Sequence, residues 1–319
     1  MNNMIDMKGS IYMKKKISAI VTAAVIALSA TACGKSETKD EKVVRIAYLP
    51  ITHSLAVLEE ADELEAKEGV KVELVKYGSW NELTDALNSN RVDGASVLME
   101  LAMKSKQEGI GIKAVALGHH DGNVIVVKND IESAEDLKGK NIAIPHRQSS
   151  HNILINDALA KAGLTVEDVN ITELAPTEMP SALASGQIDA SCVAEPFGAM
   201  GVSIGAGKVL YRSDELWEDS ICCGLVLTDK FINERPEDAK NFVDSYKAAG
   251  AELTKEKAKE TAKKYLSQSD EVLDMSLEWI SYDDLEITEE AYDALVEKVK
   301  SYGLSEEPPA YSDFVKNDL

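Results

Sequence analysis

The 319 residues carry 34 Lys and Arg against 55 Asp and Glu, a formal net charge of −21. Such acidity disfavours nucleic acid as a partner and favours solubility beside a charged surface, without fixing the fold. With 45% hydrophobic residues the chain is long and apolar enough to build two domains of ordinary size.

At the N-terminus, Lys14-Lys15-Lys16 precedes an apolar run from Ile17 to Leu28 and then Ser29-Ala30-Thr31-Ala32-Cys33-Gly34. A basic patch, a short apolar run and small residues make residues 1–32 a secretory signal, with Met1 and Met13 both open as the start. The run is short for a membrane span. Cys33 resembles the lipobox cysteine of bacterial lipoproteins, whose thiol is lipidated; Ala30 stands where that motif has Leu. Residues 33–42 are polar and read as a flexible tether. Cleavage removes four Lys and one Asp, so the charge moves to −24. The protein is expected to be exported and lipid-anchored to the outer face of the cytoplasmic membrane.

Val43 to Tyr48 is a strand by its β-branched content, stopped by Pro50. Thr52-His53-Ser54 precedes a helical pattern from Leu55 to Lys67. Val70 to Val75 alternates as a strand, Asn81 to Asn88 is helical, and Asp93 to Leu98 is a strand. Lys113 to Leu117 and Asn123 to Val127 are strands around Gly118-His119-His120-Asp121-Gly122. Ser133 to Leu137 is a capped turn. Asn141 to Pro145 is a strand, and Ser150 to Ala162 a helix ended by Gly163. Val169 to Leu174, Asp189 to Ala194 and Lys208 to Tyr211 are strands, with a helix from Met179 to Ala184. Gly224 to Leu227 reads as a return strand. From Arg235 onward the chain is mostly helical, and its Glu/Lys tracts are solvated helix faces. Strands separated by helices argue for parallel α/β sheets.

One phrase occurs twice. Ala86-Leu87-Asn88-Ser89-Asn90-Arg91-Val92-Asp93-Gly94-Ala95 returns as Ala182-Leu183-Ala184-Ser185-Gly186-Gln187-Ile188-Asp189-Ala190-Ser191. A helix-turn-strand unit repeated at this distance implies two similar lobes and a cleft between them, where small ligands bind. The expected division is 43–126 with 222–319 as lobe 1 and 127–221 as lobe 2, with hinge crossings near 126–130 and 220–224.

Several stretches occur in one order: Leu137-Lys138-Gly139-Lys140, Ser150-His151-Asn152, Ala162-Gly163-Leu164, Gly186-Gln187-Ile188-Asp189-Ala190 and Glu195-Pro196-Phe197. Over residues 43–230 this resembles the substrate-binding proteins of ABC importers for nitrate, bicarbonate, taurine and alkanesulfonates, with the thiamine-pyrimidine binders as relatives. The run His146 to Asn152, the run Cys192 to Pro196, and Ser79-Trp80 are most similar to the nitrate/bicarbonate branch. The resemblance implies a bilobed type II periplasmic-binding-protein fold: α/β, two parallel-rich sheets flanked by helices, joined by two hinge crossings and closing on the ligand. It also implies an ABC permease with a cytoplasmic ATPase as partner.

Ser149 and Ser150 stand where a helix begins, so hydroxyls and backbone N–H groups there favour an anion. Arg147 would add a fork of donors, beside Gln148. Trp80 and the Thr52-His53 loop follow strands at the cleft edge, as does Asn123 at a strand start. An indole covers a planar or apolar ligand face. Glu100 and Glu195 follow the two copies of the repeated phrase at nearly equal offsets and are expected to face the cleft. A desolvated carboxylate needs a cation or donor. Arg147 or a backbone N–H would supply one; a ligand amine, a ring N–H or a bound cation is the other source.

His119 and His120, paired in a loop, read as solvated rather than as metal ligands. Cys192 reads as buried packing, and Cys222-Cys223 fits no metal spacing, so neither metal nor cofactor is expected. No Ser-His-Asp order stands out, and an enzyme is not expected. The expectation is a monomeric binder of a small oxyanion or zwitterion, of the nitrate/bicarbonate or taurine/sulfonate class, with no nucleic-acid partner. A heteroaromatic vitamin precursor, such as thiamine pyrimidine or a flavin-like compound, is the alternative.

Overall fold

The computed structural model describes residues 43–68 and 71–319; the expected signal, Cys33 and the tether lie outside them. Strands β1 (Val43–Tyr48), β2 (Lys71–Lys76), β3 (Gly94–Leu98) and β4 (Ile112–Leu117) alternate with helices α1 (Leu55–Glu68), α2 (Trp80–Asn88) and α3 (Met99–Gln107). After the two-residue strand β5 (His120–Asp121) come β6 (Asn123–Val127), β7 (Asn141–Ile144) and helix α4 (Ser150–Lys161). Next are β8 (Asn170–Glu173), α5 (Met179–Ser185), β9 (Ala190–Ala194), α6 (Phe197–Ser203), β10 (Lys208–Arg212) and β11 (Cys223–Thr228). The remaining chain holds α7 (Asp229–Glu234), α8 (Pro236–Glu252), α9 (Lys255–Leu266), α10 (Asp270–Ser276), β12 (Ile280–Ser281), α11 (Glu289–Ser301) and α12 (Tyr311–Phe314).

Two five-stranded sheets result, ordered β2-β1-β3-β11-β4 and β10-β6-β9-β7-β8. Read from opposite ends they are the same sheet: β2, β1, β3, β11 and β4 correspond to β8, β7, β9, β6 and β10. In each, the first three strands pair in parallel and the fourth runs antiparallel to both neighbours. The sheets are therefore mixed, where strand–helix alternation alone suggested parallel pairing.

The repeated phrase works as a clamp at the same corner of both sheets. Asp93 donates its N–H to Arg45 O (2.8 Å), accepts from Arg45 N–H through its carboxylate (2.8 Å), and its carbonyl accepts from Thr228 N–H (2.9 Å). Asp189 repeats all three bonds with Asn141 O (2.8 Å), Asn141 N–H (3.0 Å) and Lys128 N–H (2.9 Å). One residue thus ties its strand to both neighbours and pairs backbone groups at the strand ends.

The correspondence corrects one boundary. β6 is the counterpart of β11 and pairs with β9 in the second sheet, Val124 opposite Val193. The first crossing between lobes is therefore at Gly118 to Gly122, before β6 rather than at 126–130. The second ends at Cys222. The apolar run of β6 suits either sheet, and only pairing assigns it. Loop 119–121, read as irregular, contributes β5, which pairs with β12 from the C-terminal part of the chain.

Candidate functional site

Buried polar side chains gather where the strand ends of the two sheets meet. Thr52 and His53 form a one-turn helix after β1 and are fully buried. Thr52 donates from its N–H and its hydroxyl to the carbonyl of Glu195 (2.8 and 2.9 Å), and Tyr282 donates its hydroxyl to Thr52 O (2.9 Å). The first loop of lobe 1 is thereby fastened to the end of β9 in lobe 2.

Glu195 is buried. Its Oε2 accepts from Ala199 N–H (2.9 Å) and Ser276 hydroxyl (3.3 Å), while Oε1 has no hydrogen-bond partner among the described residues. Burial pushes its carboxyl up to about 7, against the pull of those two donors. The donors are the Ala199 N–H and the Ser276 hydroxyl, not Arg147. Glu100, in the first turn of α3, is buried with neither oxygen hydrogen-bonded among the described residues. Burial, and then the nearby Cys222, holds its carboxyl well above the usual range.

Trp80 opens α2 behind the Ser79 cap and is buried, with no partner for its Nε1 among the described residues. Asn123 opens β6, also buried, and neither its Oδ1 nor its Nδ2 finds a partner among the described residues. Ser149 caps α4, accepting from Asn152 N–H (3.3 Å) and donating to His146 O (2.5 Å). Ser150 beside it is buried, with no partner for its hydroxyl among the described residues.

Two expected residues do not join this group. Arg147 is exposed, and its guanidinium donates to Ile171 O (2.9 Å) on the outer strand β8. Gln148 donates its side-chain amide to Leu304 O (2.8 Å), which ties α4 to the C-terminal segment. Toward solvent, the lobes part around two cavities. One of about 400 Å³ is lined by Ile51, Tyr77 and Gly78 against Pro176, Thr177 and Phe197. The other, about 170 Å³, sets Trp80 against Pro145 and His146.

The fold also assembles residues the sequence reading set aside. His119 is buried, its ring stacked on that of His53 with centroids 3.6 Å apart. Ligand atoms of His53, His119, Cys222 and Cys223 all lie within 4.8 Å of one another. Burial, followed by the neighbouring His53, lowers the His119 imidazole to about 4, and burial lowers His151 to about 4, so both are neutral near pH 7. Burial opposes ionisation of Cys222, yet Cys223, His53 and His119 hold its thiol well below the ordinary value; Cys223 is pushed up by burial and by Cys222. The adjacent cysteines were the one sequence signal for this cluster. Their histidine partners lie in distant loops at no short metal-ligand spacing.

The model for the NMT1-like family matches residues 37–267. A ligand-binding component of an ABC-type import system from Staphylococcus aureus, solved with zinc bound, is 40% identical, with TM-score 0.83 and coverage of 86% of this chain and 96% of that one. A candidate aliphatic sulfonates-binding protein of Bacillus subtilis (strain 168) is 30% identical over 250 residues, 74% of this chain and 73% of its own length. The taurine-binding periplasmic protein of Escherichia coli K12 is 32% identical over 197 residues, 60% of each chain. The chain spans only 32% of the length of some other curated relatives.

Proposed function

The chain belongs to the NMT1-like family and stands among substrate-binding proteins of ABC importers, and from that premise we propose that it captures a small zwitterionic sulfonate of the taurine class between its lobes. The observation that carries this reading is a set of buried side chains with unpartnered donors (Ser150, Trp80 and Asn123) and unpartnered carboxyl oxygens (both of Glu100, and Oε1 of Glu195) among the described residues. The Ser150 hydroxyl at the start of α4, Trp80 Nε1 and the Asn123 amide suit sulfonate oxygens. Glu195 and Glu100 suit an ammonium. No Lys or Arg is fully buried among the described residues, so a bare anion would find no side-chain cation there, whereas a ligand ammonium would favour the ionised form of two carboxyls whose pKa burial raises.

In this reading the protein is no enzyme. It is exported, held to the outer face of the cytoplasmic membrane through lipidated Cys33, acts as a monomer, and hands its solute to a permease driven by a cytoplasmic ATPase. Among the described residues no helix is long and apolar enough to cross a membrane.

Thermal shift and calorimetry on the full chain test the ligand class, since a ligand of the native state raises Tm by mass action. Taurine is expected to bind at least about tenfold tighter than ethanesulfonate, which lacks the amine, about the fold-change of one charged hydrogen bond. Glu195→Gln should narrow that gap. Equal affinity for both sulfonates, preference for nitrate or bicarbonate, or a shift with thiamine pyrimidine alone would sink the assignment.

A second reading, that the protein also holds a zinc ion, is favoured by the grouped His and Cys donors and by the zinc bound in the S. aureus relative.

A further inference from the structure

We propose that His53 Nδ1, Cys222 Sγ, Cys223 Sγ and a ring nitrogen of His119 bind one zinc ion that pins together the two crossings between the lobes. This rests on the second reading above and specifies its site and purpose.

The spacing of the donors is the first support. A tetrahedral ion with metal–sulfur bonds of about 2.3 Å and metal–nitrogen bonds of about 2.0–2.1 Å has S···S edges of about 3.8 Å and S···N edges of about 3.6 Å. The two sulfurs lie 3.7 Å apart, and they lie 3.7 and 3.6 Å from His53 Nδ1. Three edges of the tetrahedron are therefore already set.

The tautomer is the second support. His53 Nε2 lies 3.0 Å from the carbonyl of Gly122, which can only accept, so Nε2 carries the proton. Nδ1 then presents its lone pair to the two sulfurs. An imidazole oriented by a backbone carbonyl on its far nitrogen is the usual support behind a metal ligand. Gly122 permits that approach: its φ is +84°, and a Cβ there would lie 3.2 Å from His53 Nε2 and 2.7 Å from Ile280.

Position supplies the purpose. His119 lies on the first crossing and Cys222 at the end of the second, while His53 comes from the loop fastened to Glu195. Gly118 N–H already donates to Cys223 O (2.8 Å), so the crossings run side by side. Four protein donors, all buried, leave no open coordination position, the pattern of a structural site rather than a catalytic one. Thiolate and imidazole select zinc over magnesium or calcium. Loading displaces the thiol protons to solvent.

The full chain, stripped by chelator under reductant, is titrated with Zn2+ alone against a chromophoric chelator, and in parallel with Co2+. One ion per chain is expected, with the intense visible bands of tetrahedral cobalt and a sulfur-to-cobalt charge-transfer band. Cys222→Ser and Cys223→Ser should each weaken zinc binding about 100-fold or more and reduce that band. Should either variant fail to fold, shielding of Cys222 and Cys223 from alkylation in the zinc-loaded wild type is read instead, and unchanged alkylation overturns the site. One zinc bound without a thiolate band, at equal affinity in both variants, overturns this site and leaves the second reading standing. No saturable zinc binding overturns both. Taurine titration of the same metal-free sample reports on the sulfonate reading independently.

Discussion

Asp93 and Asp189 each bond to both strands that flank their own, and Asp189 adds an ion pair with Lys128 at 2.6 Å. Burial would raise the Asp189 carboxyl, but Lys128 and the Asn141 N–H outweigh it and hold it below the ordinary value. A carboxyl depressed by folding stabilises the native state above its unfolded pKa, near 3.9. That stabilisation is lost as pH falls through the lower folded value. Asp189→Asn should therefore cost about 1–2 kcal/mol at pH 7, and the gap to wild type should close below about pH 4. Urea unfolding across pH measures this; a gap independent of pH would show that the charge contributes nothing. The residue was legible in the sequence because it recurs at one place in a repeated phrase. Its duty as a three-bond clamp was not, because two of its partners lie in strands distant along the chain.

Helix α4 shows how far an element can be read from local chemistry. Ser149 ahead of an apolar-periodic stretch marks its start and Gly163 its end, so expected and observed spans differ by one residue. Ser149→Ala should cost about 1 kcal/mol, as loss of a helix cap does, measured by the shift in denaturation midpoint. A cost near zero would mean that the bond Asn152 N–H already gives to Ser149 O (3.0 Å), which the substitution keeps, is sufficient. α3 and α6 escaped the reading for different reasons. α3 follows β3 directly, with no side-chain cap at Leu98 to announce it. α6 carries two glycines, which weaken a helical pattern. A Cβ on Gly198 would lie 2.1 Å from Val124, so close packing of α6 on β6 requires the residue that obscures it. β6 itself was read at its true bounds and placed in the wrong sheet, since its apolar run carries no mark of its neighbours.

Across the whole molecule, the segment from Lys298 to Glu307 bonds to both lobes. Lys298 Nζ and the Tyr302 hydroxyl donate to Asp157 of α4 (2.8 and 2.6 Å), and Gln148 reaches Leu304 O. Gln107 of α3 donates to Ser305 Oγ (2.8 Å) and to Glu307 O. Such a strap favours the closed arrangement of the lobes. Asp157→Ala removes its grip on lobe 2, and a lost charged hydrogen bond of about 1.5 kcal/mol corresponds to about tenfold. Solute release should accelerate by about that factor in stopped-flow measurements; an unchanged rate with lowered stability would confine the strap to folding. The sequence by itself determined the two α/β lobes, the repeated phrase that marks them and most strand and helix bounds, because periodicity, caps and turns act over a few residues. Tertiary structure alone decided which sheet takes β6, why Arg147 stays outside, and that His53, His119, Cys222 and Cys223 meet. Those outcomes depend on strand order and on the return of the chain through its hinge, and neither leaves a local trace.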